Sequence, residues 1–242
     1  NIKINESGAY AQLSKRFLDD LFKFSFSGRY DKNENFQGRF TPRASLVVKL
    51  EEDHNLRVSF QTAYRFPTTQ NQWINLLVGG GTRLMGGLPQ LRDYYNFSSN
   101  PGFTLASVQA FGASAMAGAP NPTLLKAQNF GEFKPESSTS FEVGYKGLFG
   151  KVLLVDAYMY NSRYQNFISG VTVIQSRGSY NPMNLLFESS RIGYSISTNA
   201  PGEVTVKGWG ASADFLLPKN FTIGANIYSD VIGDLASGFV SY

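Results

Sequence analysis

Few residues in this chain could do covalent chemistry, and their spacing suits recognition better than catalysis. His54 is the only histidine among 242 residues, and there is no cysteine. A triad base needs a nucleophile beside it, and a zinc centre needs several nitrogen or thiolate ligands at set intervals. His54 lies in Glu52-Asp53-His54-Asn55, a turn-forming string in which a solvated side chain is the simpler reading. Gly79-Gly80-Gly81-Thr82-Arg83-Leu84 lacks the third glycine of a dinucleotide loop and joins no strand to a helix. Gly112-Ala113-Ser114-Ala115-Met116 misses the closing glycine of a nucleophile elbow. Asp19-Asp20 and Glu51-Glu52-Asp53 could be acid pairs or cation sites, but turn chemistry accounts for both. The sequence therefore supports no catalytic residue, no metal site and no cofactor: not an enzyme.

What remains is a set of cations and aromatic rings suited to non-covalent capture. Lys23, Arg29, Arg39, Arg43, Lys49, Arg57, Arg65 and Lys146 share one face with Asp31, Glu142, Asp156 and Asp214. Such a face either focuses a field on an anionic ligand or pairs with itself and with whatever fills the space before it. Arg29, Arg39 and Arg65 lie at one end of their segments and are the candidates for facing a ligand. Trp73, Arg83, Arg92, Tyr94 and Tyr95 lie in a long irregular stretch. Rings there can stack on a sugar or a catechol, or build the stretch's own small core. The net charge of +4 is spread out. With no basic stripe and no RNA- or DNA-binding motif, nucleic acid is excluded as a partner.

The elements that set these faces are long alternating strands. Thr139–Tyr145 places Thr139, Phe141, Val143 and Tyr145 on one side and Ser140, Glu142 and Gly144 on the other. The tight Gly147–Gly150 corner leads into a second strand, reaching to Tyr164, so 134–164 reads as one antiparallel hairpin. The same pattern predicts strands at Ser7–Phe17, Phe22–Asp31, Arg39–Glu51, Leu56–Arg65, Glu203–Leu217 and Phe221–Asp230. Pro42 suggests a strand end or bulge, and a slip of phase suggests a bulge at Gly208. Residues 66–135 and 165–202 read as long loops, with short helices possible over Asn71–Val78 and Thr104–Ala117.

Eight strands of about 10–13 residues exceed the usual strand length of about 5–6. Short turns alternate with longer connections, two of them very long. No run of about 18 apolar residues exists, but a spanning strand needs only about 9–11 alternating ones. The expected fold is all-β: an antiparallel transmembrane β-barrel segment with short periplasmic turns and long extracellular loops. Charges at Phe24, Phe60 or Val143 should then be costly, and charges at Ser25 or Ser59 nearly neutral. Both chain ends fall on the outer side, so residues 1–242 are expected to form part of one barrel domain, an interior slice of a larger barrel. Alternation alone also suits a soluble β-rich module, for example a carbohydrate-binding one.

Three stretches carry a family resemblance. Lys134-Pro135-Glu136-Ser137 followed by Phe141-Glu142-Val143-Gly144-Tyr145-Lys146-Gly147 resembles a barrel strand of the TonB-dependent outer-membrane receptors. Tyr64-Arg65-Phe66-Pro67-Thr68 resembles the family's strand exit before a long loop. Val206-Lys207-Gly208-Trp209-Gly210-Ala211 with Leu217-Pro218-Lys219-Asn220-Phe221 resembles a further hairpin. The resemblance implies a 22-stranded plugged barrel in the outer membrane of a Gram-negative bacterium, importing a scarce siderophore, vitamin, glycan or peptide. It implies outer-membrane lipid around the wall and an inner-membrane energy-coupling complex acting through a plug domain that is not in this chain. The alternative is a barrel whose surface loops bind a lipoprotein or other protein without transport.

Overall fold

The computed structural model describes residues 3–234 and 236. In chain order the elements begin with β1 (Glu6–Phe17), β2 (Phe22–Asn33), β3 (Phe36–Glu51) and β4 (His54–Arg65). Next come α1 (Thr69–Trp73), β5 (Asn75–Val78), β6 (Thr82–Met85), α2 (Pro89–Tyr94), β7 (Phe103–Thr104) and α3 (Leu105–Met116). The remainder are β8 (Glu136–Phe149), β9 (Leu153–Gln165), β10 (Ile168–Ser176), β11 (Arg191–Asn199), β12 (Glu203–Leu217) and β13 (Phe221–Gly233). The chain divides into two compact units.

The first unit is a continuous antiparallel sheet of eight strands in the order β1-β2-β3-β4-β8-β9-β12-β13. All eight strands expected from alternation are present, with ends shifted by a few residues. Among the described residues no pairing joins β1 to β13, so the sheet is open and both edge strands are exposed. The expected continuation before Asn1 and after Tyr242 lies outside the described residues. The β3–β4 ladder starts at Arg43↔Gln61, one residue after Pro42, which has no N–H to offer. Thr62 Oγ1 donates to the Pro42 carbonyl at 3.2 Å instead.

The register explains how this sheet meets its solvent. Phe17, Phe22, Val48, Leu56, Tyr145, Ala157, Ala211 and Ile227 form one line of paired residues across all eight strands. They share the outward, apolar face. On β2 and β3 the last large apolar residues of that face are Tyr30 and Phe40, each eight residues above the line (30 − 22 and 48 − 40). On β9 and β12 they are Met159 and Trp209, each two residues above it (159 − 157 and 211 − 209). The short turns shift equally. The β1–β2 turn leaves from the line itself, whereas the β12–β13 turn leaves six residues below it (217 − 211). Both borders of the apolar belt therefore slide by six residues between β2 and β12. Tilted strands cutting through a flat slab produce that parallel slip, as in a barrel wall crossing a bilayer. Phe24, Phe26, Phe60, Phe141, Ile223 and Ile227 are all exposed on this face. A contiguous apolar surface of this extent is not left in water by a monomeric protein. Lys15 shares the face near the first turn, its ammonium 5.2 Å from the Phe17 ring centre, with a stem long enough to reach a polar border.

The bulge expected at Gly208 is absent: β12 pairs without interruption with β9 and with β13. Val204 and Val206 simply face inward. Gly208 and Gly210 have another role. They oppose Tyr160 and Tyr158 across the β9–β12 ladder. A Cβ added at Gly208 would stand 2.6 Å from the Tyr160 ring, and one at Gly210 2.7 Å from the Tyr158 ring. The glycines let both rings lie across the strand, and Tyr160 reaches Asp230 with a 2.7 Å hydrogen bond. Gly208→Val should therefore displace Tyr160, break that bond and destabilise the wall by about 1–3 kcal/mol, the usual cost of overpacking. Equilibrium unfolding in lipid vesicles measures it; an unchanged midpoint would refute this packing account.

The second unit takes 67–135 and 168–201, the segments expected to be loops. They carry a five-stranded sheet in the order β5-β6-β11-β10-β7, in which β6 and β11 run parallel. The stretch over 165–202, expected to be a long loop, carries regular structure: β10 and β11 form a hairpin there. The reason for the misreading is burial on both faces. Val171 and Val173 pack with Met85, Tyr194 and Ile196, while Ile174 packs with Phe103, Val108 and Leu185. A strand covered on both sides loses the apolar–polar alternation. The helix expected over Asn71–Val78 is α1 followed by a strand, whereas Thr104–Ala117 does hold α3, capped by the Thr104 hydroxyl.

Candidate functional site

The second unit gathers an aromatic and cationic patch. Parallel pairing of β6 with β11 sets Arg83 beside Tyr194, and the end of α2 brings Tyr94 and Tyr95 to the same place. Asn75 Oδ1 is the hinge of the group: it accepts from Arg83 Nη1 at 2.7 Å and from the Tyr95 hydroxyl at 2.8 Å. The Arg83 guanidinium carbon lies 5.1 Å from the Tyr95 ring centre, within cation–π range. Tyr94 meets Tyr95 edge-on at 4.9 Å, and Tyr95 meets Tyr194 at 5.4 Å. Tyr94 is the outermost ring, 72% exposed.

Arg177 acts on the same group. Burial raises the Tyr194 phenol pKa and Tyr95 adds to this, whereas the positive charges of Arg83 and Arg177 pull it back. Arg177 Nε donates to the Arg191 carbonyl at 3.0 Å, which leaves its guanidinium charge uncompensated. Among the described residues neither Arg83 nor Arg177 has an ion-pair partner. The uncompensated Arg83 guanidinium beside edge-on phenols, of which Tyr94 is exposed and Tyr194 buried, can hold an anion through forked hydrogen bonds and a planar group through ring contact, with the charge of Arg177 adding to the field. Nothing in the patch supplies a nucleophile or a base.

The other sequence candidates lie elsewhere. Arg92 Nη1 donates to the Gly87 carbonyl at 2.6 Å, and its guanidinium stands 5.3 Å from the Phe130 ring centre. Burial lowers its pKa and neighbouring Asp93 opposes the shift, so Arg92 ties the backbone before α2 to the core. Trp73 closes α1, half-buried, behind a capping box between Thr68 and Asn71. In the first unit Arg29 pairs with Asp31 at 2.8 Å and Arg65 with the buried Glu136 at 3.2 Å. Arg39 stacks on Tyr64, 5.3 Å from its ring centre. Arg39 also stands opposite Asp31 across the β2–β3 ladder, so Arg29 and Arg39 flank one carboxylate. His54 faces outward, its Nδ1 2.6 Å from the Tyr145 hydroxyl and its ring edge-on to Phe149. Among the described residues no group of three His, Cys, Asp or Glu side chains gathers where a metal ion could sit.

Asn75, Arg177 and Tyr194 escaped the sequence reading. The alternation Ile192-Gly193-Tyr194-Ser195-Ile196 could have placed Tyr194 on a strand. Nothing local marks Asn75 or Arg177, because their meaning comes from the pairing of distant strands.

A model of the family described as TonB dependent receptor-like, beta-barrel matches residues 1–238. No curated protein sequence matches. Among solved structures, the siderophore receptor PirA from Pseudomonas aeruginosa superposes with a TM-score of 0.58 at 12% identity, over 95% of this chain and 34% of that one. The copper transporter OprC gives 0.54 at 14% identity, over 95% and 30%. A mutant of the ferric enterobactin receptor PfeA from Pseudomonas aeruginosa gives 0.55 at 13% identity, over 94% and 27%. The likeness is one of fold, and the chain spans about a third or less of each of these structures.

Proposed function

The chain belongs to the TonB-dependent receptor β-barrel family, and from that premise we propose that it forms part of the wall and of the ligand-capturing surface of an outer-membrane uptake receptor. The ligand is an anion bearing planar groups, such as a ferric siderophore. The site is the Asn75–Arg83–Tyr94–Tyr95–Tyr194 patch with Arg177. The observation that carries this reading is the Arg83 guanidinium, without a carboxylate partner among the described residues, set against the Tyr95 ring beside the exposed Tyr94. The similar folds of siderophore receptors and of a copper transporter are in keeping with uptake of a scarce nutrient. In this reading the receptor sits in the outer membrane of a Gram-negative bacterium and draws its energy from an inner-membrane complex acting on a plug. The inward pairs Arg29–Asp31 and Arg65–Glu136 belong to the wall rather than to the ligand.

The test is titration of the full-length receptor with ferric enterobactin, followed by intrinsic fluorescence. Arg83→Ala should weaken binding about tenfold or more, since a hydrogen bond to a charged group contributes about 1.5–3 kcal/mol. Adding Arg177→Ala should weaken it again, and both effects should shrink with salt. Arg29→Ala should leave the affinity unchanged. Failure of the wild type to bind, or an unaltered affinity in the double variant, would refute this reading.

A second reading also has an observation behind it. β5 is an edge of the five-stranded sheet, and Leu76 and Leu77 on it are more than half exposed. An added strand from a surface lipoprotein or another protein would cover them. Leu76→Asp, on the face of β5 away from Arg83, would abolish such a complex and leave ligand titration untouched.

A further inference from the structure

The outward face of the wall carries a groove of about 500 Å³ across β8, β9, β12 and β13. That size is within the range of about 300–1,000 Å³ typical of small-molecule sites. Two lines of paired residues build it. Val143, Met159, Trp209 and Ser229 form the lower line, and Phe141, Asn161, Lys207 and Val231 the upper one. The lower line is apolar up to the Trp209 ring. The upper line begins with an aromatic ring and carries an amide and an ammonium in its middle. Phe141, Met159 and Trp209 remain 50%, 64% and 46% exposed, so the groove opens on the surroundings of the belt.

Lys207 stands at the border where the apolar belt of β12 gives way to polar residues. Its lateral neighbours are Asn161 and Val231, both uncharged. Among the described residues it has no ion pair, whereas the next outward cation, Arg163, is held by Glu203 at 3.8 Å. An uncompensated ammonium at the rim of an apolar groove, beside an indole, combines the two halves of an amphiphile's binding site.

We propose that this groove holds an acyl chain of an acidic, phosphate-bearing membrane lipid, with Lys207 on the phosphate and Asn161 on the headgroup oxygens. The chain lies against Val143 and Met159 between the Phe141 and Trp209 rings. A zwitterionic lipid brings its own ammonium to the same place and gains less from Lys207. The proposal rests on the reading of the sheet as a membrane wall.

The experiment uses the full-length protein in phosphatidylcholine bilayers containing a small fraction of lipid brominated in its acyl chains. Bromine quenches indole on contact, and the contribution of Trp209 is the difference between wild type and Trp209→Phe. Brominated phosphatidylglycerol should be enriched about fivefold at Trp209 over brominated phosphatidylcholine, the factor given by the ~1 kcal/mol that a lysine near an anionic surface supplies. Lys207→Gln should abolish the preference, and Lys207→Arg should keep it. Equal quenching by the two lipids, or a preference that survives Lys207→Gln, would overturn the lipid site while leaving the wall in the membrane. Quenching by neither lipid would overturn the site and the membrane reading together.

Discussion

Val143→Arg is expected to destabilise the protein by about 2–4 kcal/mol in a bilayer, and Ser25→Arg by almost nothing. Val143 lies within the apolar belt, opposite Val58 on one neighbour and Met159 on the other. A guanidinium there must leave water for hydrocarbon or drag water in with it, and the cost peaks at the bilayer midplane. Ser25 lies on the inward face opposite Ser14 and Ser45, where water or polar groups can solvate a cation. Ser59, also expected from the sequence to be tolerant, makes a poor control because it is only 8% exposed among its inward neighbours. Reversible unfolding in lipid vesicles measures both variants. Equal losses on the two faces would remove the membrane wall and with it the lipid groove.

Arg57→Ala is expected to cost about 1–3 kcal/mol, more than the loss of any other single inward cation. Its guanidinium stands 3.3 Å from Glu142 and 3.4 Å from Asp156, and Lys146 stands 3.8 Å from Asp156. Arg57, Glu142 and Asp156 are partly buried, and Lys146 is exposed. Their register explains the convergence: Arg57 faces Gly144, which lies between Glu142 and Lys146 along β8, and Lys146 faces Asp156. A Cβ at position 144 would fall 2.5 Å from Arg57 Nε, so the glycine is what lets the guanidinium cross the strand. Removing Arg57 leaves two carboxylates with one ammonium in a partly desolvated place, and stranded charge costs more than the pair contributed. Arg57→Lys should recover only part of the loss, because a point charge cannot bridge two carboxylates as a planar fork does. Arg16→Ala is the contrast. Its pair with Asp20 is 62% and 55% exposed and should count for less than about 1 kcal/mol. A double-mutant cycle between Arg57 and Asp156 in the same unfolding assay measures the coupling. A coupling near zero would show that these charges are solvated independently.

The wall was legible in the sequence because each of its strands has one face in hydrocarbon and the other among polar groups. That contrast writes itself as a period of two, from Phe22 to Tyr30 and from Thr139 to Tyr145, and the short turns at Lys151 and Lys219 punctuate it. The identities of the inward cations followed from the same parity. Their partners did not: whether Arg29 and Arg65 face a ligand or a carboxylate depends on Asp31 and Glu136 being within reach, which register decides.

The second unit was hidden for the opposite reason. β10 is packed on both faces, so Val171, Val173 and Ile174 give no alternation, and β5, β6 and β7 are too short to establish one. Its patch joins Asn75 and Arg83 to Tyr194 through a parallel pairing of segments more than a hundred residues apart, and no local pattern encodes such a contact. The sequence by itself determined the eight strands of the wall and the sorting of their side chains to two faces, because those depend on local periodicity. Only the tertiary structure decided the slanted belt, which charges are compensated, and where Arg83, Arg177 and Lys207 stand uncompensated, because those depend on which distant strands lie side by side.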